Sequence, residues 1–241
     1  MKTVNLQVNN LNLQGNVFFD DSVIEKRPAV LFIHGWESRQ DRMFGFAEEL
    51  STKGYYCMTF DMRGHGASEG DHTIYSRKEF LDDVLVAYDF FVAEEQVDSS
   101  RVIVIGSSFG GYMTALLSAE RQLQAMALRV PTDYRDLGFE EPLYAQRKEW
   151  EHSQWKNTSH ASDETVALRA TYSFGGHILI VESENDEIVP APTVRSYKDA
   201  VTNPDKLSYV VMAKAPHSIS RFPQLQKEYE IIVFKWLESF R

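Results

Sequence analysis

The sequence predicts an α/β fold: a mostly parallel sheet with helices on both faces. Three observations carry this. Short apolar runs alternate with longer segments of helical periodicity. The central runs are apolar at nearly every position, as strands covered on both faces must be. Of the 241 residues 43% are hydrophobic and 12% aromatic, enough to fill a sizeable core and to exclude global disorder. A chain of this length is expected to form one domain, residues 1–241.

The first elements are an exception. Val4 to Val8 and Leu11 to Phe19 alternate apolar and polar residues around Asn9-Asn10, which predicts an antiparallel hairpin at a sheet edge. Pro28 introduces Ala29-Val30-Leu31-Phe32-Ile33, a fully buried strand. Residues 41–53 read as a helix stopped by Gly54, and Tyr55 to Phe60 as the next strand. Ser76-Arg77-Lys78-Glu79 has the form of a capping box. Behind it Phe80, Leu81, Val84, Leu85, Tyr88, Phe91 and Val92 share one helical face. Val102 to Ile105 predicts a strand, 109–121 a helix, and Ala125 to Val130 a strand ending at Pro131. Residues 133–175 break the rhythm, holding aromatics but no clear strand, and read as an insertion on the same domain. His177 to Val181 restores the sheet, followed by a helix near 193–202, a strand at Leu207 to Met212 and a last helix at 222–239.

Charge and cysteine content narrow the function classes. With 25 basic and 35 acidic residues the formal net charge is −10, so nucleic-acid binding is not expected. Cys57 is the only cysteine, which excludes an internal disulfide and a multi-thiolate zinc site; within Tyr55 to Phe60 it reads as a buried structural thiol. Met1-Lys2-Thr3-Val4-Asn5 lacks the apolar stretch of a signal peptide, and no run approaches membrane-spanning length. The expected location is the cytoplasm, with no membrane partner. There is no Gly-x-Gly-x-x-Gly fingerprint after a strand and no His-Glu-x-x-His, so no cofactor or metal is expected. The oligomeric state has no sequence signature here.

Gly106-Ser107-Ser108-Phe109-Gly110-Gly111 is the strongest signal. It places a serine in a Gly-x-Ser-x-Gly turn between a strand and a helix. Such a turn is sharp, so its neighbours must be small, and it lifts the hydroxyl clear of the sheet. Ser108 is therefore the candidate nucleophile. No Gly-Lys-Ser/Thr follows, which excludes a Walker phosphate loop. A serine hydroxyl needs a base. Of the seven histidines, His217 lies just past the last strand, where open α/β sheets place their sites. His34, His65 and His72 precede the turn, His152 and His160 lie in the insertion, and His177 begins a strand at the wrong end. The base needs a carboxylate to fix its tautomer. Four acids crowd after Ile178–Val181; Asp186 is preferred because Val189-Pro190 closes its turn, with Glu184 and Glu187 as alternatives. Two backbone donors for an oxyanion are expected from the amides of Phe109 and of Trp36, the latter in His34-Gly35-Trp36 after the first buried strand. His34 itself and the segment Asp61-Met62-Arg63-Gly64-His65-Gly66-Ala67-Ser68 read as structural.

Together these residues resemble the α/β-hydrolase superfamily over almost the whole chain. The order Ser108, Asp186, His217, the loop His34-Gly35-Trp36 and the segment Asp61–Ser68 all match motifs of that family. Ser108-Phe109-Gly110-Gly111-Tyr112 is similar to the elbow of small bacterial feruloyl (cinnamoyl) esterases and of prolyl-oligopeptidase-type catalytic domains; position 107 departs, being Ser where many members carry a larger residue. The resemblance implies an eight-stranded sheet with antiparallel first strands and a cap after the sixth strand. It implies a serine esterase acting on short, medium or aromatic acyl esters as small-molecule partners. Two other readings compete. One is a peptidase or amidase for small peptides, for which Glu140-Glu141 could mark an amino-terminus site. The other is a non-catalytic ligand-binding protein of the same fold.

Overall fold

The computed structural model describes residues 1–240; Arg241 and the side chains of Glu151 and His152 lie outside the described residues. Eight strands form one open sheet in the order β1-β2-β4-β3-β5-β6-β7-β8. They are β1 (Lys2–Val8), β2 (Leu11–Phe18), β3 (Arg27–Ile33), β4 (Tyr56–Phe60), β5 (Val97–Ser107), β6 (Ala125–Arg129), β7 (His177–Ser183) and β8 (Leu207–Met212). β1 and β2 form the expected hairpin, and β2 runs antiparallel to β4. Every later pairing is parallel. In β1 the odd-even alternation buries Val4, Leu6 and Val8 and exposes the residues between them, as an edge strand with one covered face requires.

The central strands divide their side chains between two cores. Ala29, Leu31 and Ile33 of β3 and Val102 and Val104 of β5 pack on one face, beneath α2 (Arg77–Val92), α3 (Phe109–Glu120), α5 (Val166–Ser173) and α6 (Ala191–Ala200). Val30, Phe32, Ile103 and Ile105 pack on the other, beneath α1 (Phe44–Thr52) and α7 (Pro223–Glu238). A strand that must satisfy two apolar faces has no polar position left over, which is why these segments read as continuous hydrophobic runs. The remaining helix, α4 (Leu143–His152), lies with α5 between β6 and β7. Among the described residues that stretch contains no strand, only a single bridge between Ser76 and Pro142.

The capping box forms as expected: Ser76 Oγ accepts the Glu79 amide at 3.2 Å, and Glu79 Oε2 accepts the Ser76 amide at 2.8 Å. Two expectations are modified. Residues 40–43 make a 3₁₀ turn before α1 begins, because the Asp61 carboxylate takes the Gln40 amide at 2.8 Å and ties the turn to β4. β5 begins at Val97, five residues before its apolar run, where Val97 pairs with Arg27 across a break in register. The exposed residues 99–101 between Val97 and that run hide the extension from an apolarity reading. Among the described residues no helix is long and apolar enough to cross a membrane.

Candidate active site

Ser108 stands between β5 and α3 with φ 57° and ψ −119°, a backbone conformation that L-residues rarely hold. Two glycines make the turn possible. A Cβ at Gly106 would lie 2.2 Å from the Gly110 carbonyl oxygen, and one at Gly110 would lie 2.1 Å from that of Ile33. The Ser108 amide is held by the Arg129 carbonyl at 2.9 Å, and the Ser108 carbonyl accepts the Gly111 amide at 2.9 Å. The chain is thus pinned on both sides of the strained residue.

The three side chains expected from separate strand ends meet. His217 Nε2 lies 3.1 Å from Ser108 Oγ. His217 Nδ1 lies 2.8 Å from Asp186 Oδ2 and 3.0 Å from Oδ1. A carboxylate can only accept here, so Nδ1 carries the hydrogen and Nε2 is left to accept from the serine hydroxyl. Asp186 is itself held: its Oδ1 accepts the amides of Ile188 at 2.9 Å and Val189 at 2.7 Å. Its side chain is 3% exposed and that of His217 12%, so the contact is largely shielded from water. The two alternative acids have other tasks. Glu187 accepts the His217 amide at 3.0 Å, and Glu184 accepts the Lys214 amide at 2.7 Å, so both brace backbone and neither meets the ring.

The loop after β3 comes up beside the serine; a Cβ at Gly35 would stand 3.4 Å from Ser108 Cβ. His34 holds this loop. Its Nε2 accepts the Met62 amide at 3.0 Å and its Nδ1–H donates to the Gly35 carbonyl at 2.7 Å. Burial pushes its pKa down to about 4, and that of His65 down to about 3, so both rings are neutral and structural. The Trp36 ring is set edge-on against His65, His72, Phe80 and Phe109. The amides of Trp36 and Phe109 donate to no acceptor among the described residues. The Asp61–Ser68 segment is structural as read: Asp61 accepts the Gln40 and Ala67 amides, and Arg63 forks onto Asp83 at 2.6 and 2.8 Å.

Sequence reasoning missed Arg129. It ends β6 at 4% exposure and contacts three neighbouring segments. One terminal nitrogen donates to Ser107 Oγ at 3.1 Å; the other donates to Ser183 Oγ at 3.1 Å, Pro216 O at 3.2 Å and His217 O at 2.7 Å. The available signal was a cation closing the run Ala125–Leu128, where a buried strand has no reason to carry one. Ser107, the departure at the elbow, is the small polar partner that this guanidinium uses. Above Ser108 and His217 opens a cavity of about 320 Å³, walled in part by Trp36, Arg129, Arg147 of α4 and Tyr229 of α7. Glu140 and Glu141 are exposed and do not line it.

Comparison with known proteins agrees with this architecture. A family model described as serine aminopeptidase, S33, matches residues 24–136, just under half of the chain. The structure of Est1E from Butyrivibrio proteoclasticus, with ferulic acid bound, superposes with a TM-score of 0.74 at 17% identity, covering 98% of this chain and 99% of that one. The chain has the α/β-hydrolase fold. The acylaminoacyl peptidase of Pyrococcus horikoshii gives the same TM-score of 0.74 at 19% identity, over 98% of this chain and 41% of that one. Among curated sequences, the quorum-quenching protein AidA of Acinetobacter baumannii is 32% identical over 107 residues, 43% of this chain and 35% of that protein. The chain spans at most about half, 52%, of the curated relatives it matches. The fold and the partial family match support an enzyme of the hydrolase class. They do not separate ester from peptide or lipid substrates, so that distinction rests on the site.

Proposed function

We propose that the protein is a serine hydrolase that cleaves small carboxylic esters through an acyl-enzyme. The observation that carries this is the unbroken hydrogen-bond chain from Asp186 through His217 to Ser108 at the floor of a cavity. In this reading Ser108 Oγ attacks the ester carbonyl carbon while His217 Nε2 takes the hydroxyl proton. The carbonyl electron pair moves onto oxygen, where the amides of Trp36 and Phe109 hold the charge. Collapse breaks the bond to the alcohol oxygen, which leaves with the proton from His217, and the acyl group stays on Ser108. Water then attacks the acyl carbon, its proton passing to His217; the acid departs and Ser108 regains its hydrogen. Asp186 stays ionised throughout and holds the imidazolium.

The 133–175 segment would serve as the cap of one domain, since α4 brings Arg147 into the cavity wall. A cavity of about 320 Å³ suits a short, medium or aromatic acyl ester rather than a folded or extended polypeptide. The family description favours a second reading, an aminopeptidase. The exposed position of Glu140 and Glu141, away from the cavity, leaves that reading without its expected anchor for an amino terminus. The expected setting is the cytoplasm. The test is hydrolysis of a panel of acetyl to dodecanoyl esters, a feruloyl ester and an aminoacyl anilide, wild type beside Ser108→Ala. Ester turnover abolished by the substitution is the expected outcome; cleavage of the anilide alone would replace the proposal with the peptidase reading.

A further inference from the structure

The cavity over Ser108 has a charge opposite to that of the rest of the molecule. The chain carries ten more acids than bases, yet among the described residues five arginines line this cavity against a single carboxylate, Glu37, and no lysine joins them. Three of the arginines are engaged. Arg39 pairs with Asp41 at 3.0 Å, Arg147 lies over the Trp36 ring at 5.2 Å, and Arg129 is spent on the backbone and hydroxyl contacts described above. The remaining two, Arg42 and Arg221, are exposed and pair with no carboxylate among the described residues. Arg42 donates to Ser220 Oγ at 3.1 Å, which places these two cations on facing segments, one leading into α1 and the other following His217.

A guanidinium presents a planar fork that matches a carboxylate or phosphate in two parallel bonds, and is a poor choice for a neutral ligand. A net negative protein repels small anions at long range, so a local cluster of cations in a substrate cavity needs a reason. A second observation points the same way. The Tyr229 hydroxyl and Arg129 Nε are buried donors with no hydrogen-bond partner among the described residues, and both residues belong to this wall. Buried donors without partners are costly, and these two leave the wall with more donors than acceptors.

We propose that the substrates of this site are esters that carry an anionic group, a carboxylate or a phosphate, held by Arg42 and Arg221 while the ester lies at Ser108. This rests on the esterase reading and narrows it. The anion binds through its charge and takes no part in bond breaking.

The test uses two matched pairs. In the first, 4-nitrophenyl hydrogen adipate is compared with 4-nitrophenyl methyl adipate, which differ only in the charge of the far carboxyl. In the second, a butyrate ester of glycerol 3-phosphate is compared with the butyrate ester of glycerol. At least one pair should favour the anionic member by about tenfold or more in kcat/KM. That ratio should shrink as sodium chloride rises from about 0.05 to about 0.5 M, and again in the Arg42→Gln/Arg221→Gln variant, whose thermal midpoint serves as the folding control. A preference in the first pair names a carboxylate source, in the second a phosphate source. Ratios near one in both pairs, with the neutral esters cleaved, would overturn the anion proposal and leave the esterase reading standing. If no ester is cleaved, the esterase reading fails, and calorimetry of the adipate pair against Ser108→Ala decides the anion question. Tighter binding of the charged member supports it, and equal or absent binding overturns it.

Discussion

Replacing Arg129 by methionine isolates what the buried guanidinium contributes. Methionine keeps an unbranched apolar side chain of similar reach but removes the charge and all four hydrogen bonds to Ser107, Ser183, Pro216 and His217. A hydrogen bond from a charged donor contributes about 1.5–3 kcal/mol, so the gross loss is about 6–12 kcal/mol. Against this stands the desolvation of a cation that is 4% exposed and has no carboxylate in contact among the described residues, a penalty of several kcal/mol that the substitution removes. The net expected destabilisation is therefore about 2–4 kcal/mol, measurable as a shift in the urea midpoint at unchanged slope. Activity should fall further than the folded fraction. Two of the lost bonds end on the carbonyls of residues 216 and 217, and a displacement of the imidazole by about 1 Å is enough to cost about a hundredfold in rate. The assay is kcat on a neutral ester at a temperature where the variant is fully folded. A variant that loses stability but keeps its kcat would refute the positioning argument, and one that loses neither would refute the energetic one as well.

Two further predictions concern carboxyl groups. Asp186→Asn should lower turnover by about 10⁴-fold, because an amide cannot hold the imidazole in the tautomer that leaves Nε2 free; a near-normal rate would move the role to Glu187, which already touches the His217 amide. Asp133 is a different case. Burial raises its carboxyl from the ordinary 3.8 to about 8, with Thr165 Oγ1 at 2.9 Å as its hydroxyl partner. The native state then holds a proton that the unfolded chain releases between about pH 4 and pH 8, so this group makes stability fall as pH rises through that window. Asp133→Asn removes that slope. The urea midpoint of the variant should gain on wild type between pH 5 and pH 8, and a constant difference across that range would show that Asp133 does not titrate there.

Much of this molecule was legible because its signals are local. A two-residue alternation announces the β1–β2 hairpin, a Ser-x-x-Glu step announces α2, and the glycines around Ser108 announce a turn that only small neighbours allow. Chain order and position past a strand end were enough to bring His217 and Asp186 to Ser108. The choice of Asp186 over Glu187 was harder from sequence, since both sit in one acidic loop. It is decided by the amides of residues 188 and 189, which face the carboxylate only once the turn has formed. The buried charges were not legible. Asp83 and Arg77 lie within the apolar side of α2 at 0% exposure, where periodicity expects hydrophobic residues. Their partners, Arg63 for one and the carbonyls of Arg135 and Leu137 for the other, come from distant parts of the chain. Arg129 escaped for the same reason. A charge is buried where its neighbours in space can pair with it, and a one-dimensional pattern does not contain those neighbours.

The knitting of the last two strands bears on how such a chain matures. The Ser108 turn is complete once β3, β5, β6 and α3 have docked, all within the first 129 residues. His217 reaches it across a separation of 109 residues, and its loop is stitched to that of Asp186 by Asn185 donating to the Ala215 carbonyl at 2.9 Å and Glu184 donating to the Met212 carbonyl at 3.1 Å. Closing so long a loop comes late in folding, since its entropy must be lost before its contacts are gained. On the proposed reading, the nucleophile's turn is built from the first 129 residues, while its base and acid come from the final third of the chain and join it only when β7 and β8 dock on the sheet.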